Sequence, residues 1–103
     1  MITVTRAAAK EIRTHAHRGD MEELGLRLSA SRGPDGGIEY RMGFDEITLN
    51  DMVVSSSGVD VIIAPDEKPL LNGVVLDYVE MSPGERQFIF MNPNDPHYVP
   101  PVE

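Results

Sequence analysis

A chain of 103 residues with 41% hydrophobic content is sized for one domain around a modest core, and its composition argues against disorder. Seventeen acidic against nine basic residues leave a formal net charge of −8, a field that repels phosphate backbones and anionic lipid. Nucleic acid and membranes are therefore disfavoured as partners and a basic protein surface is favoured, while the absence of cysteine removes disulfides, thiolate ligands, redox switches and cysteine nucleophiles together.

The opening stretch MITVTRAAAKEI carries charge early and has no long apolar run, so no signal peptide is expected. No segment approaches the roughly 20 apolar residues that span a bilayer. With no cysteine staples in so small a domain, the expected compartment is the cytoplasm. TRAAAKEIRTHAHRGD reads as a helix capped by Thr5 and ended near Gly19, with Ala8, Ile12 and Ala16 forming its buried stripe. His15 lies one turn after Glu11 on a shared face.

The pattern then changes to period two. Leu24, Leu26 and Leu28 alternate with Gly25, Arg27 and Ser29, and Ile38, Tyr40, Met42 and Phe44 alternate with Glu39, Arg41 and Gly43. The stretch from Gly33 to Gly37 joins these two runs as a hairpin-like turn. DMVVSSSGVDVIIA gives two extended segments broken near Ser57–Gly58, and APDEKPLL a turn or helical stub. GVVLDYVE and RQFIFMN form a second hairpin through Pro83–Gly84. The ending NPNDPHYVPPVE holds four prolines and is a loop and tail, because proline donates no ladder hydrogen bond. One helix followed by about six short, mostly antiparallel strands makes a compact α+β domain.

Few motifs carry chemistry. A phosphate loop needs converging N–H groups at a helix N-terminus, whereas here Pro34 removes a donor, Asp35 supplies a carboxylate, and a strand follows. His15 and His17 diverge by roughly 200° on a helix and cannot chelate together. Adjacent Asp45 and Glu46 face opposite sides of a strand, Glu22 and Glu23 lead into one, and Asp51 and Asp60 read as ordinary surface groups. Ser55 to Ser57 lack a nucleophile elbow. Nothing in this pattern argues for an enzyme.

Taken in order, ITVTRAAAKEI, LGLRLSASRGPDGGIEYRMGF, GVDVIIAPDEKPLLNGVVLDYVE and RQFIFMNPN resemble the A-type iron–sulfur carrier family (HesB/IscA-like), from Ile2 to Asn94. The resemblance implies a β-rich HesB-like domain over residues 1–94 with a proline-rich tail over 95–103. Family members use three cysteines as cluster or iron ligands, one in a G-C-S-G turn and two in a C-terminal C-G-C. The resemblance places those positions at Asp35 and near Val99 and Pro101, none of which is a thiol. Soft, sulfide-bridged iron is poorly matched by carboxylate alone. The chain is thus similar to cysteine-free relatives encoded beside sulfur-oxidation enzymes, the DsrR-like branch.

The expected function is that of a non-enzymatic accessory or regulatory protein without a cofactor. It would act through protein contacts in iron–sulfur or sulfur metabolism, with Asp35, Asp95, His97 and Tyr98 as its acidic interaction surface. The alternative is a mononuclear iron carrier in which Asp35, Asp95 and His97 supply hard O/N ligands.

Overall fold

The computed structural model describes residues 2–96. The chain runs β1 (Thr3–Val4), α1 (Arg6–Arg18), β2 (Gly25–Arg32), β3 (Ile38–Asp45), β4 (Met52–Ser56), β5 (Val59–Ile63), a 3-10 turn (Pro65–Glu67), α2 (Lys68–Leu71), β6 (Val75–Ser82) and β7 (Glu85–Met91). Two sheets result, one of order β1-β6-β7 and one of order β3-β2-β5-β4. The three hairpin pairings are antiparallel, as local turns require, and the two long-range pairings, β1 with β6 and β2 with β5, are short and parallel. The α+β architecture therefore holds, with mixed sheets.

Helix α1 begins where the sequence places it. Thr5 Oγ1 accepts from the Ala8 amide at 3.2 Å and donates to Asp77 Oδ1 at 2.6 Å, so one hydroxyl caps the helix and ties it to β6. Ala8, Ala9, Ile12 and Ala16 are buried, and the three alanines let the helix axis lie close to the strands beneath. Ile12 is the one large side chain in that stripe, and its burial is worth about 2 kcal/mol. The helix ends in a Schellman pattern, with the Met21 amide on Ala16 O at 2.8 Å and the Asp20 amide on His17 O at 3.3 Å.

The core joins both sheets. Leu26, Leu28 and Ala30 of β2, Val61 and Ile63 of β5, Val4 and Leu76 of the smaller sheet, and Leu71 of α2 are all buried with the helix stripe. β4 and β5 join through Ser57 and Gly58, both at positive φ (52° and 80°), the geometry that matches strand twist in a two-residue hairpin. The serines have structural work there. Ser56 Oγ accepts from the Val4 amide at 2.9 Å and Ser57 Oγ donates to Val4 O at 2.8 Å, satisfying the side of β1 that β6 leaves open.

Candidate functional site

The glycine turn closes on itself. Gly33 N donates to Gly37 O at 2.7 Å, Gly36 N to Gly33 O at 3.0 Å, and Gly37 N to Asp35 Oδ1 at 3.0 Å. The Gly33, Gly36 and Gly37 amides are thus taken, the last by the carboxylate of Asp35 itself. Gly36 sits at φ +86°, and no atom lies within 4 Å of where a Cβ would stand, so the glycine is required by backbone conformation and not by space. Arg32 Nη1 donates to Gly36 O at 2.9 Å, fixing the turn from outside.

The segment after β7 is anchored by asparagines. Asn92 is buried, its Nδ2 donating to Leu70 O at 2.6 Å while its Oδ1 accepts from Asn94 N at 3.0 Å. Asn94 Nδ2 donates to Asn72 O at 2.6 Å. The two asparagines thus satisfy carbonyls that the short helix α2 cannot satisfy internally. Tyr40 completes the link: its ring stacks on Phe90 and its hydroxyl donates to Asp95 Oδ2 at 3.4 Å. The start of β3 and the chain leaving β7 are held as one unit.

Of the four expected surface residues, Asp35 lies in the closed turn and Asp95 is held by Tyr40 of the same hairpin. His97 and Tyr98 lie outside the described residues, as do the positions at Val99 and Pro101. Among the described residues no group of three His, Cys, Asp or Glu side chains is placed to hold a metal ion. His15 and His17 turn to different carboxylates, Glu11 at 3.7 Å and Glu22 at 3.5 Å. Among the described residues no helix is long and apolar enough to cross a membrane.

One polar cluster differs from the sequence reading. Asp51 is not an ordinary surface group: its side chain is 7% exposed and takes a two-point bond from Arg27, at 2.9 and 2.7 Å. Asp51 Oδ2 also accepts from the amide and hydroxyl of Thr48, at 2.8 and 2.9 Å, and Arg27 Nε reaches Asp45 at 2.6 Å. The Arg27 bond, then the Thr48 amide, hold the Asp51 carboxyl well below the usual carboxylate range. Arg27 also lowers the Asp45 carboxyl, with the Glu46 amide assisting. The signal available in sequence was a cation between Leu26 and Leu28 of a strand; its partner 24 residues away gave none.

The iron–sulphur cluster biosynthesis family matches residues 1–95. The iron-sulfur cluster insertion protein ErpA of Histophilus somni is 37% identical over 94 residues, covering 90% of this chain and 82% of that protein. The crystal structure of Escherichia coli SufA, involved in biosynthesis of iron-sulfur clusters, superposes with a TM-score of 0.76 at 25% identity, covering 89% of this chain and 80% of that one. The crystal structure of IscA with a 2Fe-2S cluster gives 0.70 at 28% identity, covering 90% and 83%. With a family match across nearly its whole length and relatives above the 30% level, this chain belongs to the iron–sulphur cluster biosynthesis family.

Proposed function

We propose that this chain is a non-enzymatic accessory protein that keeps the carrier fold for protein–protein contact in iron–sulfur or sulfur metabolism, in the cytoplasm. The observation that carries the reading is a family frame over residues 1–95 in a chain with no cysteine. A cluster is cargo for this family, and thiolate donors are what soft, sulfide-bridged iron requires. The residues present do not fit such a cargo. Asp35, at the family's turn position, has an oxygen on the Gly37 amide, which makes it a turn former.

The domain that does this work is residues 1–94, with 95–103 as its tail, and the contact surface is the acidic one around Asp35, Asp95, His97 and Tyr98. The alternative, a mononuclear iron carrier through Asp35, Asp95 and His97, needs three donors converging. The commitments already made by Asp35 and Asp95 weigh against it.

The test is a native pull-down with the tagged chain at low salt, followed by titration of the purified candidate. A discrete partner, released at high salt as an acidic surface requires, is the expected result. Retention of no protein would contradict the reading.

A further inference from the structure

The connection between β3 and β4 exposes two large apolar side chains among its polar ones. Loop tips ordinarily show polar side chains to water, yet Ile47 is 50% exposed and Leu49 103% exposed, while the acidic Asp51 side chain between them and β4 is turned inward. The topology explains why this loop is held. β3 and β4 are opposite edges of the four-stranded sheet, so residues 46–51 must cross the two strands between them. At about 4.8 Å per strand spacing that is roughly 14 Å of travel, about two-thirds of the reach of six extended residues.

Arg27 stands at the middle of that crossing. Leu26 and Leu28 on either side of it are in the core, so Arg27 projects from the outer face, with Ile62 of β5 and then Val53 of β4 in register beside it. It grips both ends of the connection, Asp45 and Asp51, and donates to Glu46 O at 3.2 Å. Thr48 closes the remaining turn on Asp51. The backbone beneath Ile47 and Leu49 is therefore fixed before any partner arrives, which removes much of the ordering cost of binding. Val53 of the edge strand β4 is itself 45% exposed.

We infer that this Arg27-clamped loop is a preformed docking knob, in which Ile47 and Leu49 enter an apolar pocket of a partner protein whose rim carries Lys or Arg. The inference rests on the accessory reading and adds to it a second contact surface, apart from the one around Asp35. The choice of occupant follows from charge. Residues 45–52 hold three carboxylates and no lysine or arginine, and Arg27 offsets only one of them. Exposed Glu46 lies immediately beside Ile47. A second copy of this chain, itself at a formal −8, would meet like charge at the same rim. An anionic membrane is repelled for the same reason.

The experiment places a photo-crosslinking benzoylphenylalanine at Leu49, at Glu39 beside the glycine turn, or at Met81 on the far hairpin, in cells expressing the full chain. The expected result is capture of a discrete protein from position 49 and none from Met81. The purified protein then binds this chain with an affinity that falls at least about tenfold in Leu49→Ser and in Glu46→Lys, and falls with added salt. Both substituted side chains are exposed, and circular dichroism checks that the variants fold. Capture from Glu39 but not Leu49 overturns the loop assignment and leaves the accessory reading standing. Capture from neither position overturns both. A second copy of this chain, or a partner indifferent to the two substitutions, overturns the knob.

Discussion

The ring of Tyr40 lies flat on Phe90, with centroids 4.4 Å apart and planes 2° apart, and this contact fastens the hairpin that carries the glycine turn to the strand that leads out of the domain. The stacking carries more than the hydroxyl, whose bond to Asp95 is long at 3.4 Å. Tyr40→Ala should cost about 2–3 kcal/mol in urea unfolding, and Tyr40→Phe less than about 1. Equal losses would mean that the hydroxyl is the anchor.

Alkaline pH gives an independent readout of the same residue. Burial raises the Tyr40 phenol above its ordinary value, with a bond to Asn92 opposing and the Asp95 charge adding to the rise. Below about pH 10 both the folded and unfolded chains keep the proton; above it the unfolded chain releases it first, so stability falls as pH rises. Tyr78 is raised too, chiefly by desolvation, so Tyr40→Phe should flatten this decline without abolishing it. The check is the unfolding midpoint followed through the alkaline range.

Asn92 makes the opposite kind of contribution, polar and buried. Asn92→Ala leaves Leu70 O with only the long 3.5 Å contact from Asn94 Nδ2 and releases the Asn94 backbone that the Asn92 Oδ1 holds. A loss of about 1–2 kcal/mol is expected, because a part-buried carbonyl loses its short hydrogen bond. Amide exchange at Asn94 and Asp95 should quicken in the same variant.

Asp51 is the acid-sensitive point. Its folded value is depressed, so its contribution is present at neutral pH and is lost as pH falls below the ordinary carboxylate range. Asp51→Asn should lower the urea midpoint at neutral pH, and the gap from the parent chain should narrow in acid. The Thr48 amide should exchange faster at neutral pH, since Asp51 is its acceptor. A gap unchanged by acid would show that the carboxylate charge is irrelevant.

Asp20 holds the left-handed position that ends α1, at φ 57°, one residue after the glycine that sequence reading assigned to the end. Gly19 itself sits at φ −92°, so its freedom is not used there. Asp20→Gly should therefore stabilise the chain by about 0.5–1 kcal/mol, read as a higher thermal midpoint.

What the sequence made legible was local. The alanine-rich helix with its Thr5 cap, the hairpins at Ser57–Gly58 and Pro83–Gly84, and the alternation of Leu26 and Leu28 with Arg27 each rest on residues within a few positions of one another, and each is found in the structure. Strand β1 escaped because two residues carry no period, and its pairing with β6 lies some seventy residues away. The division into two sheets depends on such distant pairings. So do the roles of Ser56, Asn92 and Arg27, whose partners are Val4, Leu70 and Asp51. The glycine turn, by contrast, was legible as a turn, and Asp35 helps close it from within by accepting from the Gly37 amide.

Amide NMR of the anaerobic protein, recorded before and after Fe(II) and then sulfide with Zn(II) as control, tests whether the carrier frame persists here without its cargo chemistry. No saturable broadening is expected at Gly36, Gly37 or Asp95, and no cluster absorbance in the visible range. Broadening centred on Asp35 and Asp95 that saturates near one equivalent of iron would contradict it and place a metal site at the turn.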